Sequence, residues 1–371
     1  MTVSLRFSLT AAAAVLFGTA LPSWGQGGAA PTYNDLARFV AGLPAAPSSS
    51  LAALERYPSV QRYQTESRSM NEEWRNKRLQ QLHQWAVKEI HPSLSRPKVI
   101  KYPFGGPDFV HVATVFPGVD EYVLVGLEPL GSIPNFLAMS EPQLAEYLRQ
   151  LNHTLRSISR RSFFITTEMR EDFGHQGVDG VFAVLLYFAA LTEHDVLDGR
   201  FVKLTPTGEA VPSDPGSADG IWLQLRTTKR MAGFPETQDL YYFKTDLSND
   251  GFKPNAPFFT FLDQRPGGVC YLKAASYLMH TEAFANIRNY IVGTTDSLLQ
   301  DESGIPNDFL GLYFNLSYFG KYNGPIDMFS EYDQPSLRAI YQSGAAKPLP
   351  FGTGYRMRDE DSIQIFGTRK R

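Results

Sequence analysis

The segment that most constrains the fold is an uninterrupted apolar run over residues 181–191, Val-Phe-Ala-Val-Leu-Leu-Tyr-Phe-Ala-Ala-Leu. It has no polar face, so a helix made from it must be covered on all sides. It is also too short for a membrane-spanning helix, which needs about 20 apolar residues. The run therefore predicts a central helix buried in the core of a large globular domain.

The first 25 residues have the three parts of a cleavable secretory signal. Arg6 gives a positive start, residues 7–21 are mostly apolar, and Ser23 and Gly25 place small residues before a cleavage point at Gln26. A membrane anchor is the alternative, but the apolar run falls short of about 20 residues. The leader predicts a periplasmic or secreted, soluble protein whose mature part has no transmembrane segment.

Charge and cysteine content exclude several classes of protein. The chain has a net charge of −3, and removing Arg6 with the leader leaves −4, so the composition gives no reason to expect nucleic acid as a partner. The single cysteine, Cys270, cannot form an internal disulfide, and its apolar setting is typical of an inert core residue. No cofactor or metal site is predicted, and the partners are unknown.

Periodicity predicts an α+β fold in a single large domain, with an antiparallel sheet, the central buried helix and surrounding amphipathic helices. Residues 1–25 form the signal, 26–68 a flexible or helical segment, and 69–371 the globular domain. The predicted helices start at Ser69 and Ser140, fill about 275–300 and 335–342, and the predicted strands cover 200–204, 220–228, 239–246, 310–322 and 362–367.

Common catalytic motifs are missing from the sequence. It contains no G-x-S-x-G, no H-E-x-x-H, no P-loop and no G-x-G-x-x-G. Residues 246–251 resemble the first half of a calcium loop, but Pro254 and Pro257 replace later ligands. An Asx-type turn is the favoured interpretation of this segment.

One candidate site pairs two carboxylates. If residues 109–116 and Tyr122–Leu127 form a hairpin about Pro117-Gly118, Asp108 and Glu128 meet at the end away from the turn. Such a pair can act as acid and base or hold a metal, whereas the alternative is that both carboxylates cap loop amides. His111 shares an apolar strand face in this arrangement, which favours a satisfied core histidine over a catalytic one.

A second candidate is the polar loop that leads into the buried helix, where His175 lies between Glu171-Asp172 and Asp179. A histidine there could perform acid–base chemistry, or Asp179 could simply favour the first helical turn. The acids Asp296, Asp301 and Glu302 lie near the end of the predicted 275–300 helix, where they oppose the helix dipole. Either a bound cation or a basic side chain compensates them, or the helix ends earlier and the acids are solvated, which is the favoured interpretation.

Four phrases resemble segments of a family of bacterial exported proteins that has no assigned function. They are Tyr102-Pro-Phe-Gly-Gly-Pro-Asp108, Gly126-Leu-Glu-Pro129, Leu272-Lys-Ala-Ala-Ser-Tyr-Leu-Met-His280 and Leu299-Gln-Asp-Glu-Ser-Gly-Ile-Pro306. The resemblance spans roughly residues 70–371 and implies an envelope or secreted location and a single large domain. It implies no catalytic residue.

Two functions remain open from the sequence. The first is an exported, soluble protein that binds a ligand or an envelope partner. The alternative is a hydrolase of an envelope polymer that uses Asp108 and Glu128 as its carboxylate pair.

The leader gives the first testable prediction. Protein recovered from the cell envelope or medium should begin near Gln26, because signal peptidase cuts after the small residue Gly25. Mass spectrometry of the intact protein measures this directly. Recovery of envelope protein that still carries Met1 would refute the signal-peptide assignment.

Overall fold

The computed structural model describes residues 30–161, 178–229, 233–356 and 361–371. The predicted site residue His175 lies outside these described residues, as does the whole of the predicted signal.

One mixed sheet of ten strands organises the molecule, in the order β4-β3-β5-β6-β2-β1-β7-β8-β10-β9. The strands are β1 Val99–Tyr102, β2 Glu121–Gly126, β3 His194–Leu204, β4 Ala210–Pro212, β5 Gly220–Thr227, β6 Gln238–Lys244, β7 Val269–Leu272, β8 Ser297–Gln300, β9 Phe314–Gly320 and β10 Ile363–Arg369.

The five central strands, β6-β2-β1-β7-β8, are parallel to one another. Antiparallel pairing is confined to the two flanks, where β4-β3-β5-β6 and β8-β10-β9 run in alternating directions. The α+β class is confirmed, but the expected antiparallel sheet is partly parallel. The reason is that helical connections, rather than tight turns, join most of the central strands.

Helices cover both faces of the sheet. They are α1 Tyr33–Val40, α2 Pro58–Trp74, α3 Gln80–Glu89, α4 Phe109–Val115, α5 Glu141–Arg161, α6 Phe182–Leu191, α7 Pro257–Asp263, α8 Ala285–Thr294, α9 Asn307–Tyr313 and α10 Pro335–Gln342. Along β2, Tyr122 and Leu124 pack with α1 to α6, whereas Val123 and Val125 pack with α7 to α9. This alternation divides the core into two layers.

Helix α6 confirms the prediction of a central buried helix. All ten of its residues are buried, and they belong to the larger of the two core layers together with α1 and α5. The all-round apolar composition is therefore explained by neighbours on every side.

Helix α5 also agrees with the sequence. The side chain of Gln143 accepts a hydrogen bond from the Ser140 N–H at 2.9 Å, and His153 is exposed. The apolar residues that recur at helical spacing are buried, namely Leu144, Tyr147, Leu148, Leu151, Leu155 and Ile158. The helix predicted to start at Ser69 in fact starts at Pro58, where proline occupies the first helical turn without losing a hydrogen bond.

The long helix predicted over residues 275–300 is wrong. Helix α8 covers only Ala285–Thr294, and Ser297–Gln300 forms the buried strand β8. A short apolar stretch has no clear period, so its pairing with β7 and β10 decided its conformation. Within the described ranges, no helix combines the length and the apolar character needed to cross a membrane.

The buried helix gives the second prediction. Leu185→Asp should prevent folding, because Leu185 is 0% exposed and an unpaired charge buried there costs several kcal/mol out of a typical total of about 5–15. Circular dichroism and thermal melting measure the effect. The matched control is Leu312→Asp, which places the same charge on an exposed helical leucine and should melt near the wild-type temperature. Equal melting of both variants would show that α6 is not the core helix.

Candidate functional site at the carboxyl edge

The strand order reverses at β1. The chain continues from β1 to β2 on one side, and later to β7 on the other side. In open parallel sheets, ligands bind outside the carboxyl ends of the strands at such a switch point, because the connecting loops diverge there. The loops in question are residues 103–108 after β1 and residues 273–277 after β7.

The proposed hairpin about Pro117-Gly118 is wrong. Residues Phe109–Val115 form helix α4, and β2 runs parallel to β1. Nearly all of these residues are buried, and a short apolar run of this kind does not distinguish a strand from a helix. Asp108 and Glu128 still lie at one edge of the sheet, because each follows the carboxyl end of a parallel strand.

Asp108 is the centre of a buried polar network. Its carboxylate accepts hydrogen bonds from Tyr102 Oη at 2.8 Å and His111 Nδ1 at 2.6 Å, and it forms an ion pair with Lys273. Burial alone would raise the pKa of Asp108, but the charges of His111 and Lys273 outweigh burial and lower it to about 2. Asp108 is therefore ionised at neutral pH and fully occupied by partners.

His111 lies on α4 rather than on a strand. It is buried, and its Nδ1 is 3.1 Å from Lys273 Nζ as well as bonded to Asp108. Burial lowers the pKa of His111, and the neighbouring Asp108 charge opposes that shift. The position of His111 fits the interpretation of a buried histidine whose hydrogen bonds are satisfied. Its polar neighbours, Asp108 and Lys273, are charged, which the predicted apolar strand face did not include.

Glu128 lies in the adjacent loop with a different partner. Its carboxylate accepts a hydrogen bond from Tyr242 Oη at 3.0 Å, and Tyr242 is on β6. The carboxylate lies close to Gly126, where an added Cβ would come within 2.2 Å of Glu128 Oε2. The structure thus places Asp108 and Glu128 in neighbouring loops, each bound to its own tyrosine.

Sequence reasoning missed the role of the loops after β7 and β8. Lys273 follows β7 directly, is 2% exposed and joins the Asp108 network. Asp301 follows β8 and accepts hydrogen bonds from Ala274 N at 2.8 Å and from Ser303 Oγ at 2.6 Å. The sequence does show polar residues directly after short apolar segments. This pattern indicates a shared site only if those segments are parallel strands, because only then do their carboxyl ends lie at the same edge of the sheet.

Glu302 is buried rather than solvated as predicted, with 3% exposure. Burial is the main cause that raises its pKa to about 8, and the neighbouring Asp301 charge adds to the effect. Burial also raises the pKa of Asp301, while the Ser303 hydroxyl opposes that shift. Burial is the main cause that raises the pKa of Tyr277 and Tyr322, and the Glu302 charge adds to both shifts.

The two loops at the switch point are conformationally strained. Phe104, Ala274, Ser276 and Tyr277 have φ angles of +64°, +52°, +53° and +56°. Non-glycine residues adopt this left-handed region at a cost of about 1–3 kcal/mol each, and such residues concentrate at functional sites. Four of the six described non-glycine residues with positive φ are in these two loops.

Two other segments considered in the sequence, the calcium-like loop and Cys270, have structural explanations. Ser248 N donates to Asp246 Oδ1 at 2.8 Å, which confirms the Asx-type turn in the segment that resembles a calcium loop. Cys270 is buried in β7, and burial raises the pKa of its thiol to about 12, as expected for an inert core residue. Among the described residues, no group of three or more histidine, cysteine or acidic side chains is arranged to hold a metal ion.

Comparison with known proteins adds no assignment: no family model, curated protein or solved structure matches this chain.

Glu302 gives a prediction about pH. The folded protein keeps the Glu302 proton up to about pH 8, whereas the unfolded chain releases it near 4.5, so the unfolding free energy should fall with rising pH between these values. Glu302→Gln cannot ionise and should lose this decrease. Relative to wild type, the variant should therefore gain stability from pH 5 to pH 8.

Urea unfolding at pH 5, 6, 7 and 8 measures this difference. The control is Glu331→Gln, which removes an exposed carboxylate and should leave a constant difference from wild type across the range. A pH-independent difference for Glu302→Gln would contradict the buried, protonated state of Glu302.

Proposed function

We propose that this chain is an exported ligand-binding protein whose ligand lies outside the carboxyl ends of β1 and β7. The observation that carries the proposal is a coincidence of three features at one place. The strand order reverses there, the loops on both sides are strained, and buried charges lie beneath them.

The buried network supports a role in holding the loops in position. The Asp108–Lys273 ion pair ties the loop after β1 to the loop after β7. Asp301 holds the strained Ala274 through its backbone N–H, and Ser303 Oγ accepts the next N–H, that of Ala275, at 2.7 Å. Loops fixed in this way present a preformed surface, which reduces the entropy lost when a ligand binds.

The charges favour a neutral, hydroxyl-rich ligand such as a sugar or nucleoside. The edge carries the carboxyl groups of Asp108, Glu128, Asp301 and Glu302, and the cations Lys273, Arg78 and Arg356 act on the same cluster. Neither sign of charge is in large excess, which favours a neutral ligand over a strongly charged one. The hydroxyl groups of a neutral ligand can form hydrogen bonds with the backbone of the loops that these buried side chains hold in position. Aromatic rings lie next to the loop after β7, where Tyr277 and Tyr332 stack with centroids 5.3 Å apart.

Hydrolysis of an envelope polymer is the second candidate, because two carboxyl groups at this edge differ in protonation. The pKa of Asp108 is about 2 and that of Glu302 about 8, so one is ionised and the other protonated at neutral pH. Carboxyl groups that differ in protonation are typical of enzymes that use acid–base chemistry. To act as a base, Asp108 would have to exchange its hydrogen bond from His111 or its ion pair with Lys273. Glu302 is the candidate acid, and the Asp108–Glu128 pair stays a prediction.

Calorimetry with a panel of neutral sugars and nucleosides tests the ligand-binding proposal. At least one member should bind. Ser276→Arg should abolish that binding, because the bulky arginine side chain on the strained loop after β7 would fill the space proposed for the ligand. Ser276 is half-buried and bonded to Tyr355 at 2.6 Å, so the melting temperature of the variant must be measured alongside.

Ser213→Arg is the matched control, since Ser213 is also half-buried but lies beside β4 at the far edge of the sheet. Binding that survives Ser276→Arg, or a panel with no binding member, would overturn the proposal. Glycan hydrolysis that is lost in Glu302→Gln would favour the second candidate.

A further inference from the structure

Two adjoining cavities lie away from the carboxyl edge, beside the starts of β1, β7 and β8. The larger cavity has a volume of about 950 Å³. Its lining includes five basic side chains and one acidic side chain, namely Arg96, Lys98, Arg369, Lys370, Arg371 and Asp296. In a chain with a net charge of −3, this is a local concentration of positive charge.

Most of this positive charge has no carboxylate partner. Arg369 donates to the carbonyl oxygens of Thr295 and Val292, both at 2.7 Å, which fixes the guanidinium without neutralising it. Lys98 is exposed and forms no ion pair with any described residue. Asp296, the acidic side chain of the lining, accepts a hydrogen bond from Gly268 N at 2.8 Å. The basin therefore suits an anionic group.

The smaller cavity has a volume of about 300 Å³ and mainly apolar walls. Val87, Phe116 and Phe234 contribute to these walls. Two histidines also line it, and each has one ring nitrogen bound to a backbone carbonyl, His83 to Thr114 at 3.1 Å and His91 to Val115 at 2.6 Å. The volume is at the lower end of the range of small-molecule pockets, about 300–1,000 Å³.

The two cavities share a wall made by Leu94, Arg96 and Pro97. Arg96 is held in this wall by an ion pair with Asp120 at 3.0 Å and by a hydrogen bond to the Gly233 carbonyl at 2.9 Å. An apolar pocket thus opens beside a basic basin, with a fixed guanidinium between them.

We propose that these adjoining cavities bind one amphiphile with an anionic head, its apolar part in the smaller cavity and its carboxylate or phosphate in the basin. Burial of the apolar part supplies affinity at about 25 cal/mol per Å². The basic side chains select the sign of the head group. Because the apolar walls are concave, the proposed ligand is a single molecule and not a bilayer surface.

Isothermal titration calorimetry on the full mature chain tests this site with decanoate and decyl phosphate, both below their micelle concentrations. Both should bind, and affinity should weaken as NaCl is raised from 50 to 500 mM, since salt screens exposed charges. Decyltrimethylammonium and inorganic phosphate should bind much more weakly, because each lacks one of the two matching groups.

Two variants separate the two halves of the site. Lys98→Gln should weaken decanoate binding about two- to fivefold, the range expected for one exposed charge pair, while Lys203→Gln, an equally exposed lysine on β3, should not. Val87→Asp should abolish binding, because Val87 lines the smaller cavity and is 48% exposed there. The new carboxylate would repel the anionic head group and make the apolar wall of the cavity polar. Val211→Asp on β4, 37% exposed, is its control.

The proposal is overturned by any of three results: no binding of either anionic probe, equal binding of the cationic amphiphile, or binding unchanged in both Lys98→Gln and Val87→Asp. Flotation with phosphatidylglycerol vesicles in the absence of monomer binding would also overturn it, in favour of a membrane surface.

Discussion

The buried ion pair between Asp108 and Lys273 is the contact on which the carboxyl edge of this protein depends. It joins the two loops that diverge where the strand order reverses, and Lys273 directly precedes Ala274, whose backbone is left-handed. Removing one partner of such a pair typically costs about 3–5 kcal/mol, because the other charge stays buried. The hydrogen bonds from Tyr102 and His111 offset part of the cost of burying Asp108.

This network exists because the sheet is parallel at its centre. Parallel strands deliver the residues that follow them to a single edge, so loops far apart in sequence meet there. Asp108, Glu128, Lys273 and Asp301 each follow a different strand, and α6 and the helices around it bury the face of the sheet below them. The sheet thus concentrates polar groups that the sequence spreads over nearly 200 residues.

Opposite ends of the sheet have opposite electrostatic character. The carboxyl edge is rich in buried acids held by hydrogen bonds, while the cavity beside the amino ends of β1, β7 and β8 is lined by exposed or carbonyl-bound cations. The two proposed ligands, a neutral and hydroxyl-rich molecule at the first end and an anionic amphiphile at the second, would therefore contact different residues.

The sequence by itself determined the elements whose patterns are long or extreme. The apolar run of α6, the helically spaced apolar residues of α5 and the position of α10 follow from local composition, because burial on all sides or on one face sets the spacing of apolar residues in the sequence. Tertiary structure decided the rest. Residues 109–115 became a helix, 297–300 became a strand, and Glu302 was buried, because short apolar segments take the conformation that their neighbours allow. The candidate site belongs to this second group, since a partner such as Lys273 for Asp108 is fixed by strand order, which no local pattern records.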